Sequence, residues 1–194
     1  IPFELWPAQA ELLKDILSER LLLILKSRQL GISWLVLAIA LWLCLYRSGR
    51  LVLVFSIGQD EANEMLRRCH AMYWRLTEEM RARLPKLTKD NTEEMAWANG
   101  SRILSLPSRA NAGSSYTASL AIMDEFAKNP RDGGIYTAVK PTIDGGGRLI
   151  ILSSAKGSGN LFADLVQRAL KGAGRLAFRF LPWWARPGRD QAWY

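Results

Sequence analysis

At 194 residues the chain is long enough for one substantial domain with a real core and short for two. Its 49% apolar and 23% charged residues make an ordinary soluble globular composition, and no apolar run reaches the roughly 20 residues that a membrane helix needs. Lys and Arg outnumber Asp and Glu by 26 to 18, and the resulting net charge of +8 suggests a polyanionic partner such as nucleic acid, although the same balance fits an unremarkable soluble protein.

Residues 1–20 begin extended and turn into an amphipathic helix after Pro7, with Leu12, Leu13, Ile16 and Leu17 on one stripe. Gln9 lies just inside this helix. A side-chain amide can donate to and accept from an adenine edge at once, so an exposed Gln9 behind Phe3 or Trp6 could read the base; a solvated glutamine on a first turn is the plainer alternative.

Residues 21–33, LLLILKSRQLGIS, pass from an apolar run into a polar loop and then into a second apolar run. The pattern predicts strand, phosphate loop and helix, because a phosphate loop needs a buried strand, backbone N–H groups around the anion, and a helix N-terminus beyond. Against GxxxxGK[ST], Gly31 and Ser33 match, whereas Lys26 stands at the first glycine and Ile32 at the lysine. Lys26 could swing its stem back to supply the missing cation, and Arg28 could add a second charge. Both could equally be solvated residues after a buried strand.

The helix from about residue 33 to 46 is apolar nearly all round and should pack on several sides. RSGR then turns the chain into an unalternating strand at 51–56. Such strands separated by helices argue for a parallel sheet covered on both faces. Residues 59–84 read as one long helix carrying Arg67, Arg68, Arg75, Arg81 and Arg83; it is either an ordinary exposed face or a DNA-facing surface. KLTKDN reads as a turn, and Asn99-Gly100 marks a hairpin over 94–106. Cys44 and Cys69 follow no metal-ligand or redox spacing, and a reducing, intracellular setting is the default.

PSRANAGSSYTAS is a loop of functional length leading into LAIMDEFAKNP. Four apolar residues ending in Asp124 and Glu125 have the form of a Walker B strand with an adjacent glutamate. Consecutive residues at a strand end point in different directions, so Asp124 can hold hydrated magnesium while Glu125 faces an attacking water. A helix is expected near 134–139, a tight turn at Asp144 and the glycines after it, and a further parallel strand in RLIILSS. The small-residue loop SSAKGSGN leads to a helix at 161–170, and a last strand at 176–180 precedes an aromatic tail. Strands ending in polar loops at 26–33, 56–60, 124–130 and 153–160 should meet at the carboxyl edge of an open sheet, where ligands bind. That edge would carry Lys26, Ser33, Asp124, Glu125 and Ser154.

Together these segments resemble the ATPase domain of bacteriophage large terminase subunits, the motors that pump DNA into procapsids. FELWPAQ looks like the family's adenine motif, KSRQLGIS like its deviant Walker A, AIMDEFAKNP like its Walker B with catalytic glutamate, GGGRLIILSSAKGSGNLF like its coupling motif, and PWWARPGRDQAWY like the segment leading toward the nuclease domain. The resemblance implies a three-layer α/β P-loop NTPase of the additional-strand, RecA-like type, with a mostly parallel central sheet and the coupling strand between the P-loop and Walker B strands. It implies an ATPase domain over 1–182 and, at 183–194, the start of a linker to a nuclease domain beyond the chain, so no DNA cleavage is expected of these residues.

In site terms the resemblance implies ATP and Mg2+, with Gln9 at adenine and Lys26, Ser27, Arg28, Gln29, Leu30, Gly31, Ile32 and Ser33 around the phosphates. Ser33 and Asp124 would hold the metal, Glu125 would act on water, and Ser153, Ser154 and Ala155 would sense the γ-phosphate. Where family members carry an arginine proposed to reach a neighbouring subunit, this chain has Ser114; Arg109 could take over from that loop, or Arg28 could act in cis. The implied partners are double-stranded DNA, a portal protein, a small terminase subunit and further copies in a ring, expected to be pentameric, in the host-cell cytoplasm rather than the virion. Two other readings stand beside it: a helicase-like DNA translocase, which would need a second RecA-like half, and a nucleic-acid-binding scaffold with a decayed nucleotide site.

Overall fold

The computed structural model describes residues 4–106, 115–130 and 132–193. Helix α1 (Pro7–Ser18) starts on a proline, whose missing N–H costs nothing in a first turn. It is followed by strand β1 (Leu21–Lys26), helix α2 (Ile32–Tyr46), strand β2 (Leu51–Phe55) and helix α3 (Gln59–Trp74). A short helix α4 (Glu78–Ala82) leads to an antiparallel meander of β3 (Leu87–Asp90), β4 (Glu94–Trp97) and β5 (Arg102–Leu106). Then come β6 (Leu120–Asp124), α5 (Asp132–Asp144), β7 (Arg148–Ser153), α6 (Leu161–Leu170) and β8 (Ala177–Leu181).

The eight strands of the described residues form one sheet in the order β3-β4-β5-β2-β6-β7-β1-β8. From β5 to β8 every pairing is parallel. Alternation along the buried strands divides the core in two. Leu22, Ile24, Val52, Val54, Ile122 and Ile150 face α1, α2 and α3. Leu23, Leu53, Ala121, Met123, Leu149 and Ile151 face α5 and α6. Both faces are covered, which is why these strands read as continuous apolar runs rather than alternating ones.

The expected long helix over 59–84 is two helices. Thr77 breaks it: its hydroxyl accepts from the N–H of Met80 at 3.2 Å, and Glu78 and Glu79 follow in the first turn, so this segment starts a new helix instead of continuing the old one. KLTKDN is likewise no simple turn, because residues 87–90 pair with β4 through a bulge between Leu87 and Lys89. Helix α5 is longer than expected and takes in Asp144, with Pro141 inside it. The hairpin at Asn99-Gly100 forms as expected; Gly100 has φ +79° and the Asn99 side chain accepts from the N–H of Ser101.

Strand β7 lies between β6 and β1. Asp124 on β6 is in register with Leu152, and Leu25 on β1 with Ser153. The ends of three chain-distant segments are thereby brought side by side at one edge.

Candidate functional site

At that carboxyl edge Lys26 ends β1 rather than opening a loop, and its side chain is only 7% exposed. Its ammonium donates to Glu125 Oε1 at 3.2 Å. Glu125 follows β6 directly and takes a left-handed backbone, φ 51° and ψ 37°, unusual for a residue with a side chain. Its second oxygen receives Lys128 Nζ at 2.7 Å and the Ser154 hydroxyl at 3.4 Å. One carboxylate thus ties together β1, β6 and β7.

Asp124 is buried beside it and lines the same cleft as Ser33; its Oδ1 accepts from the Glu125 N–H at 2.9 Å. Burial pushes the Asp124 carboxyl up from its ordinary value, against the pull of Lys26 and Ser33. For Glu125 burial also pushes up, but the hydrogen bond from Lys128 and then the charge of Lys26 outweigh it and leave the carboxyl below its ordinary range. A cleft of about 330 Å³ opens next to the two acids, lined by Ser33, Ser56, Asp60, Glu64 and Arg68 among others. Among the described residues no group of three or more His, Cys, Asp and Glu side chains is disposed to hold a metal ion. The hydroxyl of Ser33 beside the Asp124 carboxylate is nevertheless the hard-oxygen pair suited to a magnesium ion that also takes phosphate and water oxygens.

The segment 26–33 has two left-handed positions, Gln29 at φ 60° and Gly31 at φ 71°, and Gly31 caps α2. Ser27 is anchored through its N–H to the Leu181 carbonyl at 2.9 Å. Ile32 is 2% exposed and belongs to the core shared by α1, α2 and α3, so the position where the consensus carries lysine is buried here. Arg28 is exposed. Gln9 is not the exposed side chain expected of it. It is 4% exposed, its amide donates to the Leu30 carbonyl at 2.9 Å, and its oxygen accepts from the Trp6 N–H at 3.1 Å. In this structure the glutamine braces the loop and closes the first turn of α1 rather than standing free for a base.

Ser153 accepts from the Ala127 N–H at 3.1 Å and donates to the Ser154 carbonyl, fixing the turn after Glu125 to the end of β7. Asn129 reaches the Ser56 carbonyl at 3.5 Å, joining that turn to β2. Arg109 and Ser114 lie outside the described residues. Sequence reading missed Lys128 and placed Arg68 only on a basic helix face, not at this cleft. Lys128 comes three residues after Glu125 in the short 3-10 helix over Phe126–Lys128, a spacing that brings the two side chains together. Arg68 reaches the cleft from α3, steadied by Glu64 at 3.4 Å and lying 5.6 Å from the Trp34 ring centroid; its place in an arginine-rich helix does not set it apart from Arg67 or Arg75.

The profile of the family "Terminase large subunit, T4likevirus-type, N-terminal" matches residues 23–189. The chain belongs to the terminase large-subunit family. The large terminase ATPase domain of Thermus phage P74-26 has the same fold, with a TM-score of 0.70 at 16% identity over 93% of this chain and 81% of that one. The large terminase of bacteriophage HK97 superposes with a TM-score of 0.71 at 16% identity, over 97% of this chain and 41% of its own. That of a thermophilic bacteriophage, solved in complex with ATP-gamma-S, gives 0.69 at 9% identity over 97% and 47%. The expected P-loop-like α/β fold, with helices on both faces of a mostly parallel sheet, is therefore the fold of this terminase segment. No curated protein sequence matches significantly.

Proposed function

We propose that this terminase segment hydrolyses ATP and that hydrolysis drives double-stranded DNA into a procapsid. The observation that carries the reading is the meeting of Lys26, Asp124, Glu125 and Ser154 at one sheet edge, with Ser33 at the N-terminus of α2 lining the same cleft as Asp124, in a member of the large-terminase family. The 26–33 backbone would hold the phosphates, aided by Lys26. Ser33 and Asp124 would hold a magnesium ion, which when bound would neutralise phosphate charge. Glu125 would orient and deprotonate the attacking water, since phosphoryl transfer depends mainly on positioning and charge stabilisation.

The contacts of Glu125 suggest how the reaction is kept in check. A carboxylate held by two ammonium groups is ionised but a poor base. Phosphate at the loop competes for Lys26, and movement of that ammonium onto phosphate frees Oε1 to accept a proton from water and raises its basicity. The bond from Ser154 to Oε2 makes the end of β7 responsive to the same exchange. Arg28 in cis and Arg109 from its loop are the candidates to stabilise transition-state charge. DNA, portal, small subunit, a ring of copies and a host-cytoplasmic setting are the partners and place that family membership suggests. The positive net charge agrees with a DNA partner.

Glu125→Gln is the test. It keeps the size and most of the hydrogen bonding of the side chain, so ATP binding should survive while steady-state hydrolysis falls to background. Unchanged hydrolysis in this variant would reject the assignment of the base.

A further inference from the structure

The segment after β8 returns to the phosphate loop and takes hold of it from outside. Arg189 donates from Nη1 to the Arg28 carbonyl at 3.3 Å and from Nη2 to the Gln29 side-chain oxygen at 3.0 Å. Arg186 donates to the Gln29 carbonyl at 3.4 Å while its guanidinium lies 5.5 Å from the Trp6 ring centroid. The segment is also tied to itself: Arg189 sits 4.2 Å from the Trp193 ring centroid, and Trp193 stacks on Trp183 at 5.6 Å. Both arginines therefore converge on the residue of the loop that holds a left-handed backbone without being glycine, Gln29 at φ 60°.

That convergence has a physical reason. A backbone concavity binds anions when left-handed and right-handed residues alternate, turning N–H groups inward and carbonyls outward. Left-handed conformation in a residue with a side chain persists only where its surroundings impose it. Here the surroundings include two guanidinium groups on the outward carbonyls and on the Gln29 side chain. We propose that Arg186 and Arg189 are positioning residues for nucleotide binding: they hold residues 28–29 in the phosphate-accepting shape, and through them the segment 183–193 is energetically coupled to phosphate occupancy. This rests on the loop being the nucleotide site. Because coupling of two equilibria is reciprocal, nucleotide at the loop must also tighten the segment onto it.

The test is ATP binding and steady-state kinetics on this chain and its variants. Arg186→Ala and Arg189→Ala should each raise KM for ATP about fivefold to tenfold, with kcat changed less than about twofold, since neither group touches the reacting atoms. Arg189→Lys should not restore affinity, because an ammonium cannot reproduce the forked contact to two acceptors. Gln29→Gly supplies the left-handed backbone without help, so in that background Arg189→Ala should cost little. ATP titration should change the emission of Trp183 and Trp193 in the wild type, and the change should be lost in the Arg186→Ala, Arg189→Ala double variant. A double variant with wild-type KM, a loss confined to kcat, or an undiminished Arg189→Ala effect in the Gln29→Gly background would each overturn the proposal. A wild-type chain that binds no ATP at all would instead overturn the nucleotide-site reading and this proposal with it.

Discussion

Replacing Lys26 by methionine separates its ion pair with Glu125 from the phosphate contact proposed for it. Methionine keeps the length of the stem and removes the charge. The ammonium is 7% exposed and 3.2 Å from a carboxylate oxygen, a pair whose attraction at an effective dielectric near 20 is about 5 kcal/mol. Taking the two charges out of water offsets most of that. Stripping a buried acid of its only partner costs about 3–5 kcal/mol, but Glu125 keeps Lys128 at 2.7 Å and Ser154 at 3.4 Å and is itself 24% exposed. Lys26→Met should therefore destabilise the fold by only about 1–2 kcal/mol, a fall in Tm of roughly 2–8 °C for a chain of this size. Its effect on nucleotide should be larger. A charged hydrogen bond to phosphate contributes about 1.5–3 kcal/mol, so ATP affinity should drop by about tenfold to a hundredfold. Thermal melts followed by circular dichroism and titration with a fluorescent ATP analogue measure both. A folded Lys26→Met variant that binds and hydrolyses ATP as the wild type does would refute the displaced-lysine argument.

Two further outcomes follow from contacts beside and behind the site. At Gly31, φ is +71° and an added Cβ would lie 2.7 Å from Gln9 Nε2, so Gly31→Ala should cost about 1–3 kcal/mol through backbone strain and the broken brace to Leu30; in a Gln9→Ala background the added cost should be smaller, and strict additivity in denaturant melts would count against the brace. Burial pushes the thiols of Cys44 and Cys69 up to about 12, so at pH 8 native protein should resist alkylation at a rate set by opening of the fold, and stability from these groups, whole below about pH 9, should decline as pH rises toward 12 because only the unfolded chain ionises readily. Fast, denaturant-independent labelling of either cysteine would contradict their placement.

What could be read from the sequence follows from which forces are local. The apolar runs at β1, β2, β6 and β7 carry burial on both faces in their own composition, and the residues just after them carry the chemistry, so the carboxyl-edge convergence could be argued before any coordinates. Strand β3 could not, because after Leu87 residues 88–90 are polar and exposed and are made a strand by pairing with β4. The break at Thr77 was legible in principle, since Thr-Glu-Glu is a helix-start signal. It was masked by an apolar stripe that continues on either side. The burial of Gln9 is not legible because its partner, the Leu30 carbonyl, is distant in sequence.

The order of strands accounts for the economy of the site. With β7 inserted between β6 and β1, neither Asp124 nor Glu125 can approach the end of β1 except across the end of β7. Lys26 spans that gap with a four-carbon stem, which a lysine at position 32, on the buried side of α2, is not placed to do. The same insertion obliges Ser153 and Ser154 to serve the turn after β6, one by accepting from Ala127 and the other by donating to Glu125. Ser154 thereby links Glu125 to the end of β7, whose loop leads into α6. The place proposed for the phosphate cation at the end of β1 and the position of β7 between β6 and β1 are consequently two aspects of one geometry, and a lysine at position 32 would require rebuilding of the core that Ile32 shares with α1, α2 and α3.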